Sequence, residues 1–368
     1  MSAQKNKKES GNPHRGVARV LRLVLAGLIK DKVLFKTDVD QVTAFNYGFH
    51  DRKSKPVPVK ETFLSGKTNL KGTASQRWCL FRLLPQLFAD KIPEGNNHSK
   101  VYLSYRQVVD IILAERIPRD CAAYLEVKVA EFLELYRVQY PSAAVTPKFQ
   151  YLVHCPKYLL QFGPPWRFWG MRFEAKHSYF KSIASKVNNF RNICLTLSTR
   201  HQLLQAYELS GRMFDGPLET TAAKPLQATS LTQEQQAAVP DIPSEAELSS
   251  VATACWNSCH YRVGDVFVHS IEHDVPQFLK IDKLLVYSST LVLLCQKLTT
   301  QYCSEHRSSY VVKDGNGFVA VIPDHDFDYY PLDLYYYADL CEVVPHYAVL
   351  EWFLCVQIVF WTHYAVIG

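Results

Sequence analysis

The feature that most constrains the fold is a change of hydrophobic period part-way along the chain. Before about residue 210 apolar residues recur at helical spacing, whereas beyond about residue 255 they fall in short β-branched runs separated by turn residues. Two periods kept in two separate stretches imply an α+β protein, with a mainly helical N-terminal region and a small β-rich C-terminal module. The first helix is the plainest. Over residues 15–35, Val17, Val20, Leu21, Val24, Leu28 and Ile29 form one stripe and Arg15, Arg19 and Arg22 another. The Gly/Pro/Lys stretch Tyr47–Gly72 reads as loop, and helical spacing resumes over Ser75–Phe88, Lys100–Ile117 and Ala122–Tyr140. Two further helices are expected from about Phe173 to Asn192 and from about Thr196 to Leu209. The strand-like runs are Asp265–His269, Leu284–Tyr287, Leu291–Cys295, Tyr310–Val312 and Phe318–Ile322.

Between the two halves, Gly211 to about Ala254 is rich in Thr, Ala, Gln, Ser and Pro and carries six acids against two bases, Arg212 and Lys224. That composition reads as a flexible linker. The expected organisation is a disordered N-terminus over 1–15, a helical region over 16–210, a linker over 211–254, a β-rich module over 255–347 and an apolar tail over 348–368. At 48% hydrophobic and 21% charged residues the chain is globular rather than disordered. Ten cysteines scattered over 368 residues do not form a dense disulfide framework, and the polar start with its KNKK cluster shows no signal peptide. Free thiols in the nucleus or cytoplasm are expected. The stretch Tyr347–Gly368 is long and apolar enough to span a bilayer, but Glu351, Gln357 and His363 interrupt it and no Lys or Arg flanks it. A tail anchor is therefore the minor reading, and no membrane partner is expected.

The net charge of +6 is unevenly placed. Between Thr146 and His201 stand nine Lys/Arg and one acid, Glu174, so this block alone exceeds the excess of the whole chain. Charge gathered this way is the footprint of a polyanion partner. Several other motifs do not withstand inspection. Ser65-Gly66-Lys67-Thr68 imitates a phosphate-binding loop, but Glu61 stands where its first glycine belongs. Gly315-Asn316-Gly317 has a loose dinucleotide spacing, yet it lies between two strand-like runs, and a hairpin turn accounts for it. Cys255, Cys259 and His260 lack a second ligand pair at finger spacing. The acids Asp324, Asp326 and Asp328 lack the glycine and the terminal glutamate of a calcium loop.

Within the basic block, Glu174 and His177 are i,i+3 neighbours on one helix face. Arg172, Lys176, Lys181, Lys186 and Arg191 have no nearby acid other than Glu174, so they can contact phosphates. A lone carboxylate in a field of bases stays ionised and can hold a divalent cation; it can equally be a salt-bridge partner of Arg172 or Lys176.

The strings TPKFQYLVHCP, FGPPWRFWGMRFEAKHSYFK and NNFRNICLTLSTRHQ, together with AFNYGFHDRKSKP, SQRWCLFRLLPQLFAD and HSIEHDVPQFLKI, resemble DDE-type, CACTA-related transposase-like proteins over about residues 16–347. The resemblance implies a partial RNase H-like nuclease core in which Glu174 takes the place of the third metal-binding acid, with Lys176 and His177 beside it. In such nucleases three acids hold two Mg²⁺ or Mn²⁺ ions that activate water and then the DNA 3′-hydroxyl. Gln150 and Cys155 depart from the residues usual at their positions. The first two aspartates belong upstream of about Gly16, with Arg15 where a family glutamate would stand. The expected function is accordingly that of a transposon-derived fragment that contacts DNA and has no complete catalytic site. The alternatives are a protein-interaction module acting through its β-rich part and an active metal-dependent nuclease.

Overall fold

The computed structural model describes residues 13–114, 117–167, 170–188, 191–210, 218–239, 242–243, 246–256, 259–272, 275–323, 330–337 and 339–346. The chain is 45% helical and 26% strand, with almost all the helices before residue 210 and every described strand after residue 218, an α+β arrangement.

The helices run α1 (Pro13–Lys30), α2 (Lys36–Asp40), α3 (Phe49–Arg52), α4 (Glu61–Leu64), α5 (Ala74–Arg82), α6 (Leu84–Phe88), α7 (Asn97–Leu113), α8 (Cys121–Gln139), α9 (Pro147–Leu152), α10 (Cys155–Phe162), α11 (Gly170–Val187), α12 (Ile193–Leu209) and α13 (Gln233–Ala237). Helix α1 buries Val17, Val20, Leu21, Val24 and Leu28 of the stripe its spacing announced, together with Leu25, while Ile29 is only partly buried. It lies so close to α7 that a Cβ on Gly27 would meet the His98 ring at 2.1 Å. Asn96 fixes where α7 begins, its side-chain oxygen accepting the His98 and Ser99 backbone N–H groups at 2.9 and 3.2 Å. Rings of Tyr105, Phe132, Tyr136 and Phe149 fill the space between α7, α8 and α9. The single helix expected over Ser75–Phe88 is two, because Pro85 starts α6 and ends the continuous ladder of α5. The loop expected over Tyr47–Gly72 holds the short helices α3 and α4.

The strands are β1 (Glu219–Thr220), β2 (Lys224–Gln227), β3 (Glu247–Val251), β4 (Thr253–Trp256), β5 (Cys259–Arg262), β6 (Val266–Glu272), β7 (Val275–Tyr287), β8 (Thr290–Ser304), β9 (Ser309–Val321), β10 (Leu334–Tyr337) and β11 (Leu340–Val343). They form a three-stranded sheet in the order β1-β4-β5 and an eight-stranded sheet in the order β10-β11-β9-β8-β7-β3-β2, with β6 sharing one edge of β7 with β3. Every ladder is antiparallel. One face of β7 and β8 packs Leu279, Ile281, Leu284 and Leu293 against Ala254 and Tyr261 of the small sheet. The other face packs Leu285, Val292 and Leu294 against Ala228, Leu231 and Val239.

The structure corrects two of the expectations drawn from sequence. The stretch 211–254 is not a linker throughout: residues 218–227 and 246–256 carry β1 to β4, and the segment 228–239 covers a sheet face. Part of its polar composition marks exposed edge strands, not a disordered chain: both residues of β1 and every residue of β2 except Leu226 are exposed, whereas β3 and β4 are mostly buried or half-buried. The β-rich module therefore begins near residue 218 and is larger than expected. Likewise Gly315-Asn316-Gly317 is not a hairpin turn. Strand β9 runs straight through it, and residues 315–317 bulge opposite Lys297 between the pairs Gln296–Phe318 and Leu298–Asp314. Residues 1–12, 324–329 and 347–368, which hold the expected N-terminal tail, the acidic run and the apolar tail, lie outside the described residues. Among the described residues no helix is long and apolar enough to cross a membrane.

Candidate functional site

Two features stand out, a basic helical hairpin and a buried polar seam between the helices and the large sheet. The hairpin is α11 and α12, packed through Phe180 and Tyr179 against His201, with ring centroids 5.5 and 6.2 Å apart. Neither helix buries an apolar side chain among the described residues. Helix α11 includes both Glu174 and His177, and starts three residues earlier than the periodicity placed it. The side chains of Arg172 and Glu174 lie outside the described residues. His177, Lys181 and Lys186 are exposed, as is Arg191 just ahead of α12. Lys176 is half-buried, with its ammonium 4.9 Å from the centre of the Tyr179 ring. Lys157, Arg167 and Arg200 are also exposed, so bases are spread over α10, the turn after it and both helices of the hairpin. Among the described residues none of Lys157, Lys181, Lys186 or Arg200 makes an ion pair with a carboxylate.

The seam was not visible in the sequence, because it joins residues more than two hundred positions apart. At one end, Asp51 of α3 accepts hydrogen bonds from Arg82 of α5 and from the Tyr335 hydroxyl of β10. Arg82 also donates to the Val344 carbonyl at 2.9 Å, and Arg106 donates to the Arg82 carbonyl at 2.7 Å. Burial pushes the Asp51 carboxyl up, but the Arg82 guanidinium, His346 and the Tyr335 hydroxyl together outweigh it and hold the group below the usual carboxylate range. At the other end, Arg307 donates to Glu342 at 2.6 Å and to Asp90 at 2.7 Å, while Gln86 donates to the Arg307 carbonyl at 2.7 Å. Tyr47, Cys79 and Leu83 pack against Tyr335 and Val344 between these two clusters.

Beside the first cluster lie three further groups: His50 of α3, Asp265 and Asp333. Asp265 and Asp333 are placed by one device, a reciprocal backbone bridge in which Val266 and Leu332 exchange both N–H···O bonds, at 3.0 and 2.6 Å. Each aspartate is the neighbour of a bridged residue. A turn closed by the Asp265 N–H to the Arg262 carbonyl, with Gly264 at φ +91°, brings Asp265 back beneath Arg262. Gly48 gives the Asp333 carboxylate room beside α3, since a Cβ there would stand 2.1 Å from its carbon. His50 Nε2 is 2.9 Å from Asp265 Oδ2. Burial, partly offset by His50, holds the Asp333 carboxyl above the usual range.

The sequence motif Cys255, Cys259, His260 forms part of a two-stranded pairing, Cys255 opposite His260 and Trp256 opposite Cys259, and does not gather three donors around one point among the described residues. Comparison with protein-family models, with curated proteins and with solved structures yields no significant match.

Proposed function

We propose that this chain is a transposase-like, DNA-contacting protein that lacks a complete catalytic site of its own and works in the nucleus. The observation that carries the reading is the set of exposed bases Lys157, Arg167, Lys181, Lys186 and Arg200, spread over α10, the turn after it and a helical hairpin that buries no apolar side chain among the described residues. Bases free of carboxylate partners release condensed counterions when they meet phosphates, which favours binding to any duplex and confers no base preference. In this reading the helical region is what remains of an RNase H-like core, with Glu174 as a vestigial third acid; its described residues 13–210 carry no strand.

The test is fluorescence anisotropy on unrelated duplexes over a range of salt. Affinity should fall linearly in log–log form, and Lys181→Ala with Lys186→Ala should weaken all duplexes alike and reduce the slope by roughly 0.9 for each phosphate that is no longer neutralised. Binding that ignores salt, or none at low salt, would refute the reading. Mg²⁺- or Mn²⁺-dependent nicking that disappears in Glu174→Gln would replace it with an intact nuclease. A second reading, a protein-interaction module, has one observation in its favour. The edge strand β10 leaves Tyr336 72% exposed, with Tyr330 and Tyr337 exposed nearby, and tyrosine is enriched where proteins meet.

A further inference from the structure

The His50, Asp265 and Asp333 side chains sit where two parts of the chain meet, and their donor atoms all lie within 4.8 Å of one another. Each carboxylate is already held by one oxygen. Asp265 Oδ2 accepts the Arg262 backbone N–H at 2.7 Å, and Asp333 Oδ2 accepts the His50 and Asp51 backbone N–H groups at 2.9 and 3.1 Å. The other oxygen of each, Oδ1, is buried without a hydrogen-bond partner, and the His50 Nε2 beside them has none of good geometry. The Asp265 side chain is 0% exposed and that of Asp333 2%, so no bulk water serves them. Two buried carboxylate oxygens left without a donor are costly unless something of positive charge takes them up. The nearest cation, Arg262, reaches them only as long ion pairs and donates no hydrogen bond to either Oδ1. Its Nε is 3.5 Å from Asp265 Oδ1 and its Nη2 4.0 Å from Asp333 Oδ1, while the guanidinium lies over the Phe49 ring at 4.5 Å.

We propose that His50, Asp265 and Asp333 form a binding site for a first-row divalent cation of the zinc type, which ties the helical region to the β-rich part. One imidazole and two carboxylates suit zinc, whereas magnesium and calcium favour oxygen alone. Neighbouring donors of a tetrahedral zinc ion stand about 3.3–3.6 Å apart, so donors spread over as much as 4.8 Å must draw in by roughly 1 Å on binding. The backbone N–H groups on each Oδ2 hold the two carboxylates in place, the service that outer hydrogen bonds perform in metal centres. His50, with its side chain 16% exposed, leaves a way in from solvent. This site is separate from Glu174 and shares no residue with the DNA-contacting surface.

The experiment is a titration of the chelator-treated full chain with Co²⁺, read by visible absorption, and with Zn²⁺, read by thermal unfolding. The expected result is one saturable site with the d–d bands of nitrogen and oxygen ligation, no thiolate-to-cobalt band, and a higher melting temperature with zinc. His50→Gln and Asp333→Asn should each weaken binding by on the order of 10–100-fold or more, the range that loss of an outer hydrogen bond already produces. Arg262→Gln removes a like charge and should tighten binding severalfold. Should either ligand variant fail to fold, as judged by far-ultraviolet dichroism, the wild-type cobalt spectrum decides. No saturable site, binding indifferent to both ligand variants, or a thiolate band that disappears in Cys255→Ser and Cys259→Ser overturns the proposal.

Discussion

Asp51 and Arg82 are both buried, and each depends on the other to be so. Their side chains are 6% and 2% exposed, and the pair is completed by the Tyr335 hydroxyl and the Val344 carbonyl. Truncating one partner leaves the other's charge buried without compensation. Arg82→Met should therefore lower the unfolding free energy by about 3–5 kcal/mol in urea melts, and adding Asp51→Leu should recover much of that deficit. A decrease under about 1 kcal/mol in the single variant would show that water replaces the guanidinium. Asp38 offers a test against pH. Its carboxylate accepts from Lys91 and from the Phe35 backbone N–H, which together hold it below the usual range, Lys91 contributing most. A carboxylate with a depressed folded pKa adds stability above its unfolded value, near 3.8, and that contribution is lost as pH falls through the folded value. Asp38→Asn keeps the acceptor oxygen without the charge, so its urea midpoint should differ from wild type at pH 6 and converge with it at the acid end. A constant difference across pH would sink this account. At this scale the basic block was plain from composition. His50, Asp51 and Arg82 carried no such signal, because the surroundings that bury them are completed by Asp333, Tyr335 and Val344, more than two hundred and fifty residues away.

At the scale of elements, spacing sufficed where one side of a helix meets the core. The stripe of α1 is the stripe it buries, and the expected helix over Lys100–Ile117 became Asn97–Leu113. It did not suffice where two structures ask for the same residue. Asn-Gly marks a residue at positive φ, and both a hairpin turn and a bulge need one; only the pairing of β8 with β9 distinguishes them. Gly317 sits at φ +91° with open space around its Cα, so a side chain there meets no obstacle but strains the backbone. Gly317→Ala should cost about 1–2 kcal/mol in equilibrium unfolding, entirely through that strain. A neutral substitution would mean the bulge relaxes to another conformation. Similarly, the polar stretch after residue 218 was misread because composition reports exposure, and an edge strand such as β2 is exposed while firmly paired to β3.

For the molecule as a whole, the α+β division was legible, but the dependence of its two parts on each other was not. The seam buries the pairs Asp51–Arg82 and Arg307–Glu342, and either part alone would expose them and lose the bonds that cross it, from Tyr335 to Asp51, from Arg82 to the Val344 carbonyl and from Arg307 to Asp90. The full chain should therefore unfold in one transition, with fluorescence and far-ultraviolet dichroism giving the same urea midpoint; two separate midpoints would show that the parts are independent. The same seam has a bearing on the time course of folding. Asp333 holds the His50 backbone N–H across 283 positions of sequence, a contact that rewards the chain only after the helices and the sheet have each taken shape. Interactions of that kind are absent from the rate-limiting state and act on the way out. Asp333→Asn should accordingly leave refolding rates near those of the wild type and accelerate unfolding, so that the bridge governs how long the folded molecule lasts rather than how quickly it is reached.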